Sequence, residues 1–392
     1  MGSLKKNKFT IALIIPGFAG GGAERAVQTI GGYYYGKGYR VLYFLLDNSR
    51  RCAYEIKGQV VRLGIDLNGR GINPYIRAAR IMRRAKKQYE IDIAISFMEE
   101  SNFLNVLSRG KEKTILSVRT TLSARSDLTG TIYNAKWIGF FYNQANSVVS
   151  VSKYVKNDLI KNYGIRERKI CVISNPALVH DGIGENAKWE YGDNVIICVG
   201  RLEPIKQQDR IIRAFSYVKS CCPKAKLLLL GDGKLKNYLE KICVEFGVKD
   251  EVFIKGFTSA PGYYLRNSRV FVMTSKSEGF PNAMVEAMAC GVPVVSTDSP
   301  GGCGEIVGRE LGSDEIQYCK YGILTPHMSG RVKIKEPLKR EEILLGKAII
   351  SVLEDDRIYR EYSKRSMKRA EHYAMQNVMN KWDKVLGIDR HQ

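Results

Sequence analysis

The chain has 392 residues, which is long enough for two domains of ordinary size. Its hydrophobic content of 44% and charged content of 26% exclude an intrinsically disordered protein and are typical of a globular one. The formal net charge is +22, and the excess is uneven, because residues 1–185 carry 29 basic and 14 acidic side chains. This basic excess predicts an anionic partner, which could be nucleic acid, an acidic membrane surface or a phosphorylated substrate.

The cysteines and histidines indicate neither a disulfide framework nor a structural metal. The nine cysteines are scattered and none forms a Cys-x-x-Cys pair, a pattern typical of reduced thiols in a cytoplasmic protein. With only four histidines, none beside a cysteine pair, we expect no zinc site. No apolar run reaches the roughly 18 residues that a membrane span needs. We therefore expect a protein that is soluble or associated with a membrane surface.

Short apolar runs alternate with segments of helical periodicity along the whole chain. The predicted strands, in chain order, cover residues 9–15, 40–46, 91–96, 113–118, 147–152, 194–200, 226–231, 251–256, 269–275 and 292–297. The clearest predicted helices cover residues 23–35, 74–89, 209–221 and 235–246, and the pattern from 341 to 386 is also helical. Apolar strands separated by helices predict an α/β fold, with parallel sheets covered on both faces.

This alternation is interrupted at residues 173–194, where proline, glycine and asparagine are frequent and no periodicity is seen. We therefore predict two doubly wound domains, over residues 1–178 and 190–370. Doubly wound sheets bind ligands at the carboxyl ends of their strands, so two such domains predict a site in the cleft between them.

The first candidate site is the segment IIPGFAGGGAERAV, residues 14–27. An apolar strand runs into a glycine-rich loop and then into an amphipathic helix. A glycine loop at a helix start leaves backbone N–H groups open toward an anion, and the helix dipole favours negative charge there. The segment matches neither the dinucleotide-binding fingerprint nor the P-loop, so a simple tight turn is an equal alternative.

The second candidate is CVGRLEPIKQQD, residues 198–209. A strand ends at Gly200, and Arg201 and Lys206 follow it before a helix begins. An arginine fork and a lysine point charge at this place could clamp a diphosphate. The alternative is that both are solvated surface charges.

The third candidate is SEGFPNAMVEAMACGVPVVS, residues 277–296. Its spacing places Glu278 in the loop after a strand, and Glu286 more than one turn inside a helix that begins at Pro281. Open N–H groups around 279–283 could take a phosphate or sugar oxygen, and a carboxylate nearby could accept from the hydroxyls of a ribose or hexose. A glutamate that suits the helix dipole, followed by an exposed helical glutamate, explains the spacing equally well.

In this order and at these separations, the three segments resemble glycosyltransferase family 4, together with LLGDG at 229–233, IKGF at 254–257 and DSPGGCGEI at 298–306. The last of these is similar to the branch that builds bacterial surface and N-linked glycans. The resemblance covers nearly the whole chain. It implies the GT-B fold, in which two Rossmann-like doubly wound domains face each other across a cleft and the C-terminal helix, here 371–392, packs back toward the first domain.

The resemblance also implies roles for single residues in a retaining enzyme with a nucleotide-sugar donor. Arg201 and Lys206 would neutralise the departing diphosphate and Glu278 would face the donor sugar, which makes these three the predicted catalytic residues. Fixed positive charge aimed at a departing diphosphate is then the main source of rate. Glu286 would hold the ribose diol. The predicted donor-binding residues are Gly21, Gly22, Gly200, Gly256, Phe257, Gly279, Phe280, Pro281, Asn282 and Glu286.

One loop departs from the pattern of many relatives, which carry a histidine near the reacting carbon. Here the loop reads LSVRTTLSARSD, residues 116–127, and contains no histidine. Arg119 is the nearest candidate, and because arginine stays protonated we predict that it binds acceptor phosphate or sugar oxygens and is not a base. The leaving diphosphate can itself accept the acceptor's proton. Since the chain has no Asp-x-Asp, we predict a metal-independent reaction without a cofactor.

A basic helix is predicted within NPYIRAARIMRRAKKQYEID, residues 73–92. The basic side chains that recur on one side of it are Arg77, Arg80, Arg84 and Lys87. Arg83 and Lys86 are predicted beside them. One interpretation is a solvated helix face, and the other is contact with anionic lipid or a lipid-linked diphosphate, which the positive charge of this half of the chain favours.

The predicted activity is transfer of a hexose or N-acetylhexosamine from a nucleotide sugar, with UDP as the nucleotide, to a polyprenyl-diphosphate-linked glycan in bacterial surface polysaccharide assembly. The expected partners are the donor, this acceptor and an anionic membrane surface, and the expected location is the cytoplasmic face of the cell membrane. Rival interpretations within the fold are a soluble acceptor or a nucleotide-sugar epimerase. A nucleic-acid-binding protein is the rival from another class, but the basic residues show neither stacking aromatics nor a binding module.

Overall fold

The structure is a computed structural model of the chain. It describes residues 9–18, 21–47, 56–67, 73–125, 134–179, 189–309, 314–330 and 334–388. Contacts divide the chain into two units, one made of Met1–Asn175 with Val378–Gln392 and the other of Pro176–Asn377. The domain bounds predicted from the sequence, 1–178, 190–370 and 371–392, stay a prediction beside this division.

The first unit contains a seven-stranded sheet with helices between its strands. The strands are β1 (Thr10–Ile15), β2 (Arg40–Leu45), β3 (Gln59–Arg62), β4 (Ile93–Phe97), β5 (Lys113–Val118), β6 (Ser147–Ser150) and β7 (Ile170–Val172). The helices between them are α1 (Gly22–Gly36), α2 (Asn73–Gln88), α3 (Glu99–Leu107), α4 (Ala135–Tyr142) and α5 (Lys153–Tyr163). The strand order is β3-β2-β1-β4-β5-β6-β7, and each recorded pairing is parallel.

The strands predicted in this half are confirmed as β1, β2, β4, β5 and β6, because each is an apolar run buried within the sheet. The prediction missed β3 and β7. Both lie at edges of the sheet, where β3 is mostly exposed and β7 is only three residues long, so neither shows a long apolar run.

The strand order also divides the helices between the two faces of this sheet. The chain moves from β1 through α1 to β2 in one direction, and through α2, α3 and α4 in the other. Because such crossovers are right-handed, α2, α3 and α4 lie in one layer and α1 lies on the opposite face. The apolar side of α2, with Ala78 and Met82, shares a core cluster with Leu104 of α3 and with side chains of β1 and β2.

The second unit repeats this architecture with a second seven-stranded sheet. The strands are β8 (Val195–Val199), β9 (Lys226–Leu230), β10 (Val252–Gly256), β11 (Val270–Met273), β12 (Val294–Thr297), β13 (Gln317–Tyr318) and β14 (Ile323–Thr325). The helices are α6 (Gln208–Cys221), α7 (Lys236–Glu245), α8 (Pro261–Arg266), α9 (Asn282–Ala289), α10 (Cys303–Val307), α11 (Arg340–Glu354) and α12 (Asp356–Glu371).

The order of this sheet is β10-β9-β8-β11-β12-β14-β13, and β13 is antiparallel to its neighbour β14. The predicted strands are confirmed as β8 to β12. The prediction missed β13 and β14, which are two and three residues long and therefore carry no apolar run of the predicted kind. Two parallel-sheet α/β domains, the predicted fold class, are thus confirmed.

The last helix, α13 (Met375–Leu386), has most of its residues in the first unit. The Tyr34 hydroxyl of α1 donates to Asp383 Oδ1 at 2.9 Å, and the neighbouring Trp382 is buried. The return of the chain to the first domain, as the GT-B fold implies, is therefore seen in this contact. Among the described residues, no helix has both the length and the apolar character needed to cross a bilayer.

Candidate active site

The second sheet reverses its strand order between β8 and β11, which pair directly although they are far apart in the sequence. Doubly wound sheets bind ligands outside the carboxyl ends of the strands at such a switch point. The loop after β8 carries Arg201 and Lys206, and the loop after β11 carries Glu278. The three predicted catalytic residues therefore lie in the two loops that flank the switch point.

Glycines let the ends of β8, β9 and β10 approach each other closely. The N–H of Gly200 donates to Leu230 O at 2.9 Å, and the N–H of Gly231 donates to Gly256 O at 2.7 Å. A Cβ on Gly231 would lie 2.0 Å from Gly200 O, and Gly231 has φ +147°, which other residues rarely adopt. The LLGDG motif thus has a structural reason, because a side chain at this glycine would separate the strand ends.

The loop that carries Lys206 is fixed to the end of β11. The Thr274 hydroxyl donates to Lys206 O at 3.2 Å and to Gln207 O at 2.8 Å, and the Lys276 N–H donates to Ile205 O at 2.8 Å. The Lys206 ammonium then donates to Glu278 Oε1 at 2.5 Å. Two residues that the sequence presents in separate motifs, 72 positions apart, therefore form one ion pair.

Two opposing effects act on the pKa of Lys206. Burial favours the neutral amine and lowers the pKa, whereas the charge of Glu278 and its hydrogen bond raise it, and the net pKa is above the usual value. The lysine is therefore fully charged at neutral pH. Both side chains keep part of their surface accessible, so an ammonium and a carboxylate are presented together to a ligand at the switch point.

A pair of glycines clamps the backbone of Glu278. The Glu278 N–H donates to Pro300 O at 3.1 Å, and Glu278 O accepts from Gly302 N–H at 2.8 Å. A Cβ on Gly301 would lie 1.7 Å from Glu278 O, and one on Gly302 would lie 2.8 Å from Gly279 O. This positioning role was not predicted from the sequence, where DSPGG served only as a sign of resemblance. Two adjacent glycines beside a predicted strand end were the signal for it.

The loop continues into α9, which carries Glu286. Pro281 is the N-cap residue and the helix begins at Asn282, so the predicted start at Pro281 is wrong by one residue. Phe280 is buried, with its ring 5.3 Å from that of Tyr373, so this contact helps to hold the loop in place. Glu286 is only 4% exposed, which excludes the interpretation as an exposed helical glutamate.

Three further candidates of this unit, Arg201, Gly256 and Phe257, lie just after or at the ends of β8 and β10. Arg201 is exposed and its guanidinium lies 3.0 Å from Glu203 Oε1. Gly256 has φ +76° at the end of β10, and it turns the chain so that Phe257 is exposed. The structure joins Lys206 to Glu278 but does not pair Arg201 with either, and the role of Arg201 stays a prediction.

In the first unit, α1 begins at Gly22 directly after the glycine-rich loop, of which residues 19 and 20 lie outside the described part of the chain. The Glu24 carboxylate accepts the N–H of Gly21, the N-cap residue of α1. That N–H is therefore occupied and not open to an anion in this structure, which the sequence did not reveal because Glu24 reads as an ordinary helix residue. The donor roles of Gly21 and Gly22 stay predictions.

Arg119 follows the end of β5 and is held in place by two acceptors. Its guanidinium donates to Ser117 Oγ at 3.3 Å and to Asn175 Oδ1, and it lies 5.9 Å from the centre of the Phe97 ring. Burial lowers the pKa of Arg119 to about 9, so the group is still a cation at neutral pH. The predicted binding of acceptor phosphate or sugar oxygens by Arg119 stays a prediction.

Helix α2 has the predicted basic face, with one correction. Its exposed basic residues are Arg77, Arg80, Arg83, Arg84 and Lys87. Lys86, predicted beside them, is instead buried. Its ammonium donates to Asn105 Oδ1 and to Glu112 Oε1, both at 2.7 Å, so it ties α2 to α3 and to the loop before β5. Lys86 lies on the apolar side of the helix, and the sequence could not show that Glu112 lies opposite it.

Comparison with known proteins agrees with this arrangement. The family model described as "Glycosyltransferase Family 4" matches residues 20–177, and the model described as "Glycosyl transferases group 1" matches residues 184–312. The chain belongs to glycosyltransferase family 4. The first match contains Arg119 and the basic helix of this transferase, and the second contains the Lys206–Glu278 pair and α9.

Several relatives resemble this transferase over most of their length. An uncharacterized glycosyltransferase of Methanocaldococcus jannaschii is 28% identical over 84% of this chain and 89% of its own. The N-acetylgalactosamine-N,N'-diacetylbacillosaminyl-diphospho-undecaprenol 4-alpha-N-acetylgalactosaminyltransferase of Campylobacter jejuni is 26% identical over 92% of this chain and 94% of its own.

Solved structures show the same fold as the transferase. Sucrose-phosphate synthase of Thermosynechococcus elongatus is similar with a TM-score of 0.76 and 16% identity, over 96% of this chain and 98% of its own. HepE of Anabaena in complex with UDP is similar with a TM-score of 0.75 and 18% identity, over 97% of this chain and 100% of its own. The transferase is therefore of the GT-B type.

Proposed function

We propose that the transferase is a retaining, metal-independent enzyme that moves a hexose or N-acetylhexosamine from a UDP-sugar to a polyprenyl-diphosphate-linked glycan at the cytoplasmic face of the cell membrane. The observation that carries this proposal is the Lys206–Glu278 ion pair at the switch point of the second sheet. It presents a fixed positive charge where a diphosphate would leave and a carboxylate where sugar hydroxyls would lie.

The reaction requires one bond to form and one to break at the anomeric carbon. The acceptor oxygen bonds to that carbon on the face from which the diphosphate departs, and the leaving diphosphate takes the acceptor's proton. Charge on the diphosphate rises as its bond breaks, so the Lys206 ammonium stabilises the transition state more than the bound donor. Arg201 adds a second cation in the same loop, and Glu286 would hold the ribose diol.

The choice of donor and acceptor is supported by relatives. HepE was solved with UDP, and the Campylobacter jejuni relative is described as acting on a diphospho-undecaprenol glycan. Arg119 adds a held cation at the carboxyl edge of the first sheet, which suits an acceptor that carries phosphate. A soluble acceptor or epimerisation without an acceptor are the competing activities.

The membrane part of the proposal is supported by α2. Its five exposed cations follow each other at helical spacing, and the described residues show no ion pair for Arg77, Arg80, Arg84 or Lys87. Each basic side chain near an anionic bilayer contributes about 1 kcal/mol to binding. A row of cations without recorded partners is what an anionic lipid surface would neutralise.

The function is tested by offering the purified protein a panel of nucleotide sugars. At a concentration of about 100 Kd, the true donor should stabilise the fold by about 2.7 kcal/mol. That donor is then incubated with a polyprenyl-diphosphate glycan and with the same glycan free in solution, with and without EDTA. Transfer to the lipid-linked glycan alone, with retained anomeric configuration and in EDTA, is expected. Equal use of both glycans, or an epimerised donor, would favour a competing activity.

The membrane contact is tested by replacing Arg77, Arg80, Arg84 and Lys87 together with glutamine. The variant should lose most of its binding to anionic vesicles, while hydrolysis of the donor in the absence of acceptor stays unchanged because none of the four residues is a predicted donor residue and Lys206 and Glu278 lie in the other unit. The matched control replaces four exposed cations of α12, namely Arg357, Arg360, Lys364 and Lys368. If both variants lose binding equally, only net charge matters and α2 is an ordinary solvated helix.

A further inference from the structure

Helix α4 exposes two large aromatic side chains on the outside of the first unit. Trp137 is 48% and Phe140 is 57% exposed. The sequence of this helix, AKWIGFFY, is apolar on nearly all sides, which is typical of a helix that is covered all round. The buried residues are Ile138, Gly139 and Tyr142, so within the described part of the chain one side of the helix is covered.

The orientation of α4 is set by contacts on its inner side. A Cβ on Gly139 would lie 2.3 Å from Tyr163 O, so the absence of a side chain lets α4 lie directly against the end of α5. The Asn134 side chain caps the helix by accepting the N–H of Trp137 at 3.2 Å. With Gly139 held inward, helical geometry turns Trp137 and Phe140 outward.

A chain of ring contacts joins α4 to the basic helix α2. The Tyr75 ring of α2 lies 6.0 Å from that of Phe103 in α3, and Phe103 lies 4.3 Å from Phe141 in α4. Phe141 in turn contacts Trp137 at 5.9 Å and Phe140 at 5.2 Å. Since α2, α3 and α4 belong to one layer, their outer sides form one face of the unit.

We name this face the basic–aromatic surface and define it by its exposed residues. They are Ile76, Arg77, Arg80, Arg83, Arg84 and Lys87 of α2, and Lys136, Trp137 and Phe140 of α4. The charges among these nine residues are all positive, although Glu100 of α3, the helix between α2 and α4, is also exposed. The combination of positive charges and exposed rings is the composition of a surface that lies on an anionic bilayer with its rings in the headgroup region.

We propose that Trp137 and Phe140 enter the headgroup boundary of an anionic lipid bilayer while the cations of α2 lie on its surface. This inference rests on the proposed function, because it identifies how the transferase would hold the membrane that carries its acceptor. A second copy of the chain fits the surface less well. In a two-fold dimer the same cations would face each other and repel.

The two parts of the surface respond differently to salt. Attraction between α2 and lipid charges is screened as the Debye length falls from about 10 Å at 0.1 M salt to about 3 Å at 1 M. Burial of the two rings does not depend on that screening, since it arises from apolar surface removed from water. Replacing the rings should therefore weaken vesicle binding by about tenfold or more at every salt concentration.

The experiment measures insertion of Trp137 directly. The full-length protein is titrated with vesicles of anionic phospholipid, without acceptor, that carry bromine on their acyl chains. Quenching of tryptophan fluorescence should occur in the wild type and be lost in Trp137→Phe, which keeps a ring and should still bind. Trp189 and Trp382 remain in both proteins, so the difference between them reports Trp137 alone.

Binding is then compared between Trp137→Ala with Phe140→Ala and the control Tyr318→Ala, an exposed aromatic of the other unit. The double variant should bind about tenfold or more weakly in both low and high salt, and the control should bind like the wild type. Equal quenching in wild type and Trp137→Phe, or unchanged binding by the double variant, overturns the inference. A wild-type dimer that the double variant converts to monomers, with vesicle binding unchanged, overturns it in favour of a second copy.

These measurements use vesicles without acceptor or donor, so they do not depend on transfer. Inserted rings together with an inactive or differently specific enzyme would leave the inference standing and reject the proposed function. Transfer to a lipid-linked glycan with no Trp137 quenching would support the proposed function and reject the inference.

Discussion

Among the lysine–glutamate pairs of the described residues, Lys86–Glu112 in the first unit and Lys206–Glu278 in the second have similar lengths, 2.7 Å and 2.5 Å. They differ in burial. The side chains of the first pair are 3% and 4% exposed, and those of the second are 25% and 14% exposed. Burial lowers the pKa of Lys86 to about 8 despite its partner, whereas the attraction of Glu278 outweighs burial and raises the pKa of Lys206.

This difference separates a structural pair from a candidate catalytic one. The Lys86 ammonium donates three hydrogen bonds inside the protein, to Asn105 and Glu112, and therefore has no N–H left for a ligand. Lys206 has one recorded partner and an accessible side chain at a strand end. Removing a buried partner is costly to the fold, while removing an accessible cation at a ligand site is costly to the reaction.

The largest effect is expected from Lys86→Met, which keeps the length of the side chain and removes its charge. Glu112 then stays buried without its partner, which should lower the free energy of unfolding by about 3–5 kcal/mol. Urea unfolding measures the change. Adding Glu112→Leu should restore much of the loss, because the unpaired carboxylate is gone. If the single variant is as stable as the wild type, the two pairs do not differ as proposed.

For the Lys206–Glu278 pair we expect a large effect on kcat and a small effect on the free energy of unfolding. Lys206→Ala and Arg201→Ala should each lower kcat by about 10² or more, as the loss of a charge-stabilising donor does, with the free energy of unfolding nearly unchanged. Steady-state kinetics with the identified donor measures this. The matched control is Lys276→Ala, an exposed lysine two residues before Glu278, which should behave like the wild type. Wild-type turnover in Lys206→Ala would remove the diphosphate clamp from the mechanism.

A smaller effect tests whether the backbone clamp keeps Glu278 in position. Gly301 has φ +127°, and a Cβ there would collide with Glu278 O, so Gly301→Ala must displace the loop. We expect weaker donor binding, measured by calorimetry, with a stability loss of about 1–3 kcal/mol from the strained backbone. Gly192→Ala is the control, because Gly192 also has a positive φ of +76° but an open surrounding. If both variants bind the donor equally, the clamp has no role in the site.

The sequence predicted the fold and the site unequally well. Long apolar strands such as β1 and β9 were predictable because burial on both faces leaves an unbroken apolar run. The short edge strands β3 and β13 carry no such run, and only pairing with a neighbour makes them strands. Apolar runs in the sequence therefore predict the inner strands of a sheet better than its short edge strands.

The site shows the same limit at the level of single residues. The motifs identified Lys206 and Glu278 separately, but a spacing along the chain contains no information on a contact across two loops. Lys86 was placed on a basic surface because a lysine looks the same in the sequence whether or not Glu112 lies opposite. Likewise, the glycines at 301 and 302 were visible, but the backbone oxygens that exclude a side chain there belong to residues over twenty positions away.

The smallest effect is expected in the dependence of stability on pH, where the two lysines should behave differently between pH 8 and pH 10. The folded pKa of Lys86 is about 8, below its usual value near 10.5, so between these values the unfolded chain binds more protons. The free energy of unfolding of the wild type should therefore rise relative to Lys86→Met from pH 8 to pH 10. The slope cannot exceed about 1.4 kcal/mol per pH unit, the value for one proton.

Lys206 has a raised folded pKa, so the stability it contributes is fully present below its usual pKa and is lost only as the pH rises through the raised value. The difference between the wild type and Lys206→Met should accordingly stay flat from pH 8 to pH 10. Urea unfolding of the three proteins across this range measures both differences under the same conditions. Parallel curves for the two variants would show that the pairs titrate alike, and the contrast between a buried structural lysine and an accessible charged one would then be wrong.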